Sequence, residues 1–209
     1  MVAVLNNAIE QNSQSGSLVL HWPPSLHLLN EQFFDFCQAN KELRIERTAQ
    51  GDYEIMASTG GGTSWRNSQL ITQLSIWADQ ESSGVVFDSS GGFTLPNGAV
   101  RSPDVSWVKR SRLGALTPEQ KQRFLPLCPD FVIELLSPRD SLKVLQDKMQ
   151  EYIENGAGLG WLIDPELKRV YVFRPNQEVS CLDNPDILSA DEQLKGLKLD
   201  IKKVWDVGF

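Results

Sequence analysis

The chain has 209 residues, 41% of them apolar and 22% charged, with a net charge of −7. That length supports one domain with a substantial core, and the composition excludes a chain that is disordered throughout. No apolar run approaches the ~18 residues of a membrane span, and the N-terminus lacks the basic and apolar regions of a secretory signal, so the reading is a cytoplasmic protein.

Cys37, Cys128 and Cys181 are scattered with no CxxC spacing, which fits reduced, mostly buried thiols rather than disulfides or a zinc site. His21 and His27 are the only histidines, so histidine-based metal sites and Ser-His-Asp chemistry have little to work with. Catalysis, if present, falls to carboxylates, lysine and a hard metal ion.

Taken in chain order, residues 1–22 are polar and read as a loose segment ending at "HWPPS". "SLHLLNEQFFDFCQANK" places Leu28, Leu29, Phe33, Phe36 and Cys37 at helical spacing. "LRIERTAQGDYEIMAS" reads as two strands joined at Gln50-Gly51-Asp52. The "TGGGT" loop leads into a helix, "SWRNSQLITQLSIWADQES", whose Leu70, Ile71, Leu74 and Trp77 keep the 3.6-residue period. "GVVFDSS" and "GFTLPNG" are short strands, and Val105–Val108 alternates as another. In "TPEQKQRF" Thr117 caps a short helix, with Pro118 at its first position and Gln120 able to reach back.

Phe131–Leu136 follows, five apolar residues of six, bounded by Pro129-Asp130 and Ser137-Pro138. It reads as a strand buried on both faces, with Glu134 inside it. An ionised carboxylate there requires a compensating partner, either a cation shared with a second acid or a buried arginine such as Arg101. Asp104, in "SPDVS" at the entrance of the preceding strand, is the candidate second acid; Asp130 lies four strand residues from Glu134, about 13 Å, too far to share an ion. A helix from about Asp140 to Asn155, stopped by Gly156, carries an apolar stripe of Leu142, Leu145, Met149, Tyr152 and Ile153. Lys148 lies at the edge of that stripe, whereas Lys143 and Asp147 point away. "LGWLIDP" and "KRVYVFRP" form a strand pair, and the tail adds short β pieces. The class is α/β or α+β, a mixed central sheet flanked by helices in a single domain over 1–209.

The stretch "PDVSWV … PDFVIELLSPRDSLKVLQDKMQEYIENGAGLGWLIDP … VYVFRP", within about Leu43 to Arg174, resembles the Uma-two family of restriction-endonuclease-type proteins in the PD-(D/E)XK nuclease superfamily. The resemblance implies a restriction-endonuclease-like core and a phosphodiesterase site that uses Mg²⁺, with Mn²⁺ as a substitute. It assigns Asp104 and Glu134 as catalytic, metal-holding carboxylates, Lys148 as the catalytic lysine and Glu54 as an upstream catalytic acid. Two departures stand out. Leu136 occupies the position, two after the glutamate, where the superfamily has its lysine, and "SWRNS" lacks a histidine the family often carries nearby, leaving Arg66 or Asn67 in its place.

The implied function is a DNA endonuclease acting as a homodimer; the alternative is a catalytically inactive nucleic-acid-binding or assembly module that keeps the fold. Residues 101–148 hold nine Lys/Arg against six Asp/Glu, while the rest of the chain holds 11 against 21. That local excess suggests a phosphate-facing surface with Lys109, Arg110 and Arg112 at its centre.

Overall fold

The computed structural model describes residues 9–11, 17–190 and 193–209, with residues 9–11 described by their backbone alone. Two six-stranded sheets carry the chain. The first is built from β1 (Ile9–Gln11), β2 (Leu18–Leu20), β3 (Arg44–Arg47), β4 (Tyr53–Met56), β6 (Phe93–Thr94) and β7 (Val100–Arg101), in the order β1-β2-β4-β3-β7-β6. The second, central sheet runs β12-β11-β10-β9-β8-β5, from β5 (Gly84–Asp88), β8 (Val105–Lys109), β9 (Phe131–Leu135), β10 (Leu159–Asp164), β11 (Arg169–Phe173) and β12 (Ser180–Asp183). Its β9–β10 pair is parallel and the others antiparallel, which makes it the mixed sheet read from the sequence. A small hairpin, β13 (Ile187–Ser189) and β14 (Lys198–Asp200), closes the fold.

The helices are α1 (Asn30–Ala39), α2 (Gly61–Glu81), α3 (Arg110–Gly114), α4 (Pro118–Lys121), α5 (Leu142–Glu154) and α6 (Lys202–Trp205). None is long and apolar enough to cross a membrane. Thr117 and Gln120 form the expected reciprocal cap on α4, at 3.2 and 2.9 Å. Cys128 is buried, but Cys181 is exposed because it sits on the edge strand β12.

The alternation along β9 decides which side chain meets which helix. Phe131, Ile133 and Leu135 pack on the α2 side with Leu70, Leu74, Trp77, Val105 and Trp161. Val132 points to the other face, with Met149, Tyr152, Ile153 and Leu162. Glu134 shares that face by the two-residue period, so it is directed at α5. Helix α5 can lie close to the sheet because β10 offers Gly160 there; a Cβ at that position would come within 2.4 Å of the Met149 methyl carbon.

Three details depart from the sequence reading. Residues 1–22, read as loose, supply β1 and β2, because β2 completes the edge of β4 through the pairs Leu18–Ile55 and Leu20–Tyr53; residues 1–8 and 12–16 lie outside the described part. Helix α2 begins at Gly61, inside the "TGGGT" stretch, where the first-turn N–H groups have no intrahelical acceptor to find and weak helix formers are tolerated. Leu29 is exposed at the entrance of α1 instead of packing on its apolar face, because the helix starts one residue later.

Candidate active site

Asp104 immediately precedes β8, whose register with β9 pairs Val105 with Ile133. Continuing that antiparallel register places Asp104 across from Glu134. Both line one pocket of about 550 Å³ between the first sheet, the start of α2 and the β9–α5 turn. Asp104 is fixed from two sides: Oδ2 accepts from the Leu135 backbone N–H at 2.9 Å, and Oδ1 accepts from Asn67 Nδ2 at 3.3 Å. Arg44 Nη1 stands 3.8 Å from the same Oδ1. Of the two residues standing where the family often carries a histidine, Asn67 hydrogen-bonds to Asp104, while Arg66 lines the pocket and donates to the Val204 and Trp205 carbonyls of α6.

Glu134 is 3% exposed, and its partner is not Arg101 but Lys148, whose Nζ lies 2.9 Å from Glu134 Oε1. Tyr152 donates its hydroxyl to the same oxygen at 3.0 Å. Lys148 and Tyr152 are four residues apart, one turn of α5, which is why a single carboxylate receives both. Lys143, by contrast, is exposed and pairs with Asp147, as its helical position predicts.

The Lys148 ammonium has a second partner. Glu46, 1% exposed on β3, accepts from Nζ at 3.1 Å and from the Ser102 backbone N–H at 2.9 Å, both through Oε1. Its other oxygen lies 3.2 Å from Arg101 Nη1. Glu46 also faces Glu54 directly across the β3–β4 ladder. Two carboxylates opposed in this way repel unless a cation sits beside them. Arg101 supplies it, bridging Glu46, Glu54 and Glu151, the last through Nε at 2.7 Å. Glu54 therefore does reach the pocket, as a ligand of Arg101.

The electrostatics separate the two buried acids. Burial pushes the Glu134 carboxyl up to about 7: Lys148 opposes the rise, and the charges of Asp104 and Glu46 reinforce it. Burial acts on Glu46 in the same direction, but Lys148, Arg101, Arg44 and the Ser102 N–H together outweigh it and hold that carboxyl down at about 2. Lys148 is raised: burial opposes its charge, yet Glu134 and Glu46 outweigh the burial.

The pocket thus brings together Asp104, Glu134, Lys148 and Glu54, all four candidates read from the sequence, and adds Glu46 and Arg44, with Asn67 hydrogen-bonded to Asp104 beside it. The basic trio does not join them. Lys109 and Arg112 are tied to Asp130 at 3.7 and 3.2 Å, and Arg110 donates to the Ser82 and Gly84 carbonyls. They stand at the far end of β8, five residues and roughly 16 Å from Asp104. Asp130 at the β9 entrance gathers Lys109 and Arg112 into a separate, partly exposed cluster at that end of the sheet.

A family model, Uma2, described as "Putative restriction endonuclease", matches residues 30–202. The chain belongs to this family. A solved structure described as a putative nuclease belonging to DUF820, from Anabaena variabilis, is similar over 78% of this chain and 90% of that one, with 25% identity and a TM-score of 0.67. No curated protein matches the chain.

Proposed function

We propose that this Uma2 chain is a metal-dependent DNA endonuclease that hydrolyses phosphodiester bonds in the Asp104–Glu134–Lys148 pocket. The observation that supports it most is the convergence of two strand-end carboxylates and a charged, carboxylate-held lysine in one pocket. Family membership and the similarity to a structure described as a nuclease support the same class.

The residues fit a hard divalent ion. Asp104 and Glu134 offer oxygen donors on neighbouring strands, and the Asn67 side-chain oxygen beside Asp104 is buried without a hydrogen-bond partner. Among the described residues no set of three or more His, Cys, Asp or Glu groups is arranged to hold a metal. Two carboxylates are nonetheless the usual protein contribution to Mg²⁺, which keeps waters and substrate phosphate as its remaining ligands. Mg²⁺, or Mn²⁺ in its place, would be held by Asp104 and Glu134 and would supply Lewis-acid polarisation of the phosphate and a more acidic bound water.

The chain's own groups do the rest. Lys148 keeps its proton because Glu46 and Glu134 flank it, so it presents a fixed positive charge to the phosphoryl oxygens as negative charge builds there. Glu46 and Arg101 hold that ammonium in place from the first sheet. Lys148 thereby performs from α5 the task that a lysine at position 136 performs elsewhere in the superfamily.

The test is cleavage of labelled single-stranded and duplex oligonucleotides by the purified chain with Mg²⁺ or Mn²⁺. Activity that disappears in both Asp104→Asn and Glu134→Gln supports the reading; activity equal to wild type in either variant overturns it. Metal binding at the same carboxylates without hydrolysis would favour the binding-module alternative, which Leu136 at the usual lysine position also favours.

A further inference from the structure

We infer that the pocket admits an unpaired DNA strand and excludes continuous duplex, an inference that rests on the nuclease reading and names its substrate class. The reacting groups lie deep: Asp104 is 8% exposed, Glu134 3%, and the Lys148 side chain 10%. A phosphate held in a rigid duplex is fenced by its own grooves and neighbouring strand, and cannot be pushed to the floor of a cavity of about 550 Å³. That volume is in the range of cavities that enclose a small ligand, roughly 300–1,000 Å³, which suits one nucleotide swung out of a flexible strand.

The lining matches both ends of such a nucleotide. Beside the charged groups, Met56 and Ala57 next to Glu54 and Val144 and Leu145 one turn before Lys148 give the same pocket an apolar patch for a base whose faces are uncovered. In duplex those faces are stacked and offer nothing to this patch. Among the charged groups Arg44 has a donor to spare. Its Nη2 is anchored on the Ser102 carbonyl at 2.6 Å, its Nη1 stands 3.8 Å from Asp104, and its Nε–H is buried with no acceptor. Nη1, held only loosely by Asp104, is the donor left for a phosphodiester oxygen.

The charge map points the same way. Duplex binders that depend on phosphate contacts neutralise roughly 6–10 of them. Here the basic residues lining the pocket besides Lys148 are Arg44, Arg66 and Arg139, in a chain of net charge −7, and the Lys109–Arg112 group is committed to Asp130 and backbone carbonyls. Arg66 is itself tied to the Val204 and Trp205 carbonyls, so Arg44 and Arg139 remain to guide one strand, too few to seat a duplex.

The experiment uses the full chain with Ca²⁺ as the oxygen-seeking ion, and fluorescence anisotropy with three probes of one sequence: a single strand, a duplex with an unpaired 3′ flap, and a duplex closed by loops at both ends. The single strand and the flap are expected to bind about tenfold tighter than the closed duplex, a difference of about 1.4 kcal/mol. Val144→Trp and Met56→Trp, each filling the apolar patch and each checked for an unchanged circular dichroism spectrum, are expected to remove that preference. Equal affinity for the closed duplex, or a preference untouched in the folded variants, overturns the inference. Cleavage with Mg²⁺ separates the two readings. A closed duplex cut as fast as the flap keeps the nuclease and sinks the strand preference. Preferential strand binding with no cutting at all keeps the preference and sinks the nuclease.

Discussion

Lys148 Nζ lies 2.9 Å from Glu134 Oε1, and this contact gives the lysine a structural role. With Glu46 at 3.1 Å, one ammonium compensates two carboxylates that are almost wholly buried. Removing one partner of a buried ion pair costs on the order of 3–5 kcal/mol, against a total stability of roughly 5–15 kcal/mol.

Lys148→Met is therefore expected to lower stability by about 3–5 kcal/mol, read as the midpoint of urea unfolding. Lys143→Met, which removes only an exposed pair with Asp147, is expected to shift it by less than about 0.5 kcal/mol. Lys148→Arg keeps the charge and the fold, and its residual cleavage rate then reports the chemistry alone. A loss of about 10²–10³ in rate is expected, because the longer planar guanidinium cannot occupy the ammonium position. If Lys148→Met proves as stable as wild type, the buried pair is not the partner that Glu134 depends on.

The two acids make opposite demands on pH. Glu46, held at about 2, contributes stability that is present above the unfolded carboxylate value near 4.5 and is lost as pH falls towards 2. Glu134, raised to about 7, behaves in reverse. Between 4.5 and 7 the folded chain holds a proton that the unfolded chain has released, so stability falls as pH rises through that window. Its limiting slope is about 1.4 kcal/mol per pH unit. Subtracting the unfolding free energy of Glu134→Gln from that of wild type, both in chelator, should leave a difference that declines from pH 4.5 to 7 and is flat above it. A difference independent of pH would mean that Glu134 titrates normally.

Arg101 supports a prediction of its own. Its guanidinium bridges Glu46, Glu54 and Glu151, and a lysine has only one compact charge to offer the three. Arg101→Lys is expected to be destabilised by roughly 2–4 kcal/mol, whereas Glu54→Gln, at the half-buried end of the network, should cost about 1 kcal/mol or less. Thermal melts of the two variants side by side check the order; the reverse order would place the charge balance of the first sheet elsewhere.

The parts of this site that could be read from the sequence are those governed by local periodicity. The apolar run of β9 exposed the anomaly of Glu134, and the 3.6-residue stripe of α5 placed Lys148 at the edge of the same face. Glu46 was missed because "RIER" reads as a polar strand, and its burial comes from a contact with Lys148, 102 residues away. A signal was present all the same. A hairpin turning at Gln50-Gly51-Asp52 sets Glu46 opposite Glu54, and two carboxylates on one rung call for a cation. The partners of the basic trio were not legible for the complementary reason: a local count of charges does not say which carboxylate each will meet.

The final prediction separates metal ligands from structural carboxylates. Asp104 and Glu46 are both buried at the same pocket, but Glu46 is saturated by Lys148, Arg101 and the Ser102 N–H. Asp104 accepts one backbone and one amide hydrogen bond and faces Arg44 at 3.8 Å. Glu134 receives Lys148 and Tyr152 on Oε1, so its other oxygen and Asp104 are what this pair has to offer an ion. Asp104→Asn and Glu134→Gln are each expected to weaken Mn²⁺ binding by about a hundredfold, since each deletes one of two charged ligands. Glu46→Gln should leave Mn²⁺ affinity within a few fold while destabilising the fold, because its work is done through Lys148. Calorimetric titration of Mn²⁺ into the three variants decides between these roles. Loss of binding in Glu46→Gln comparable to that in Asp104→Asn would move the ion towards β3 and make Glu46 a ligand.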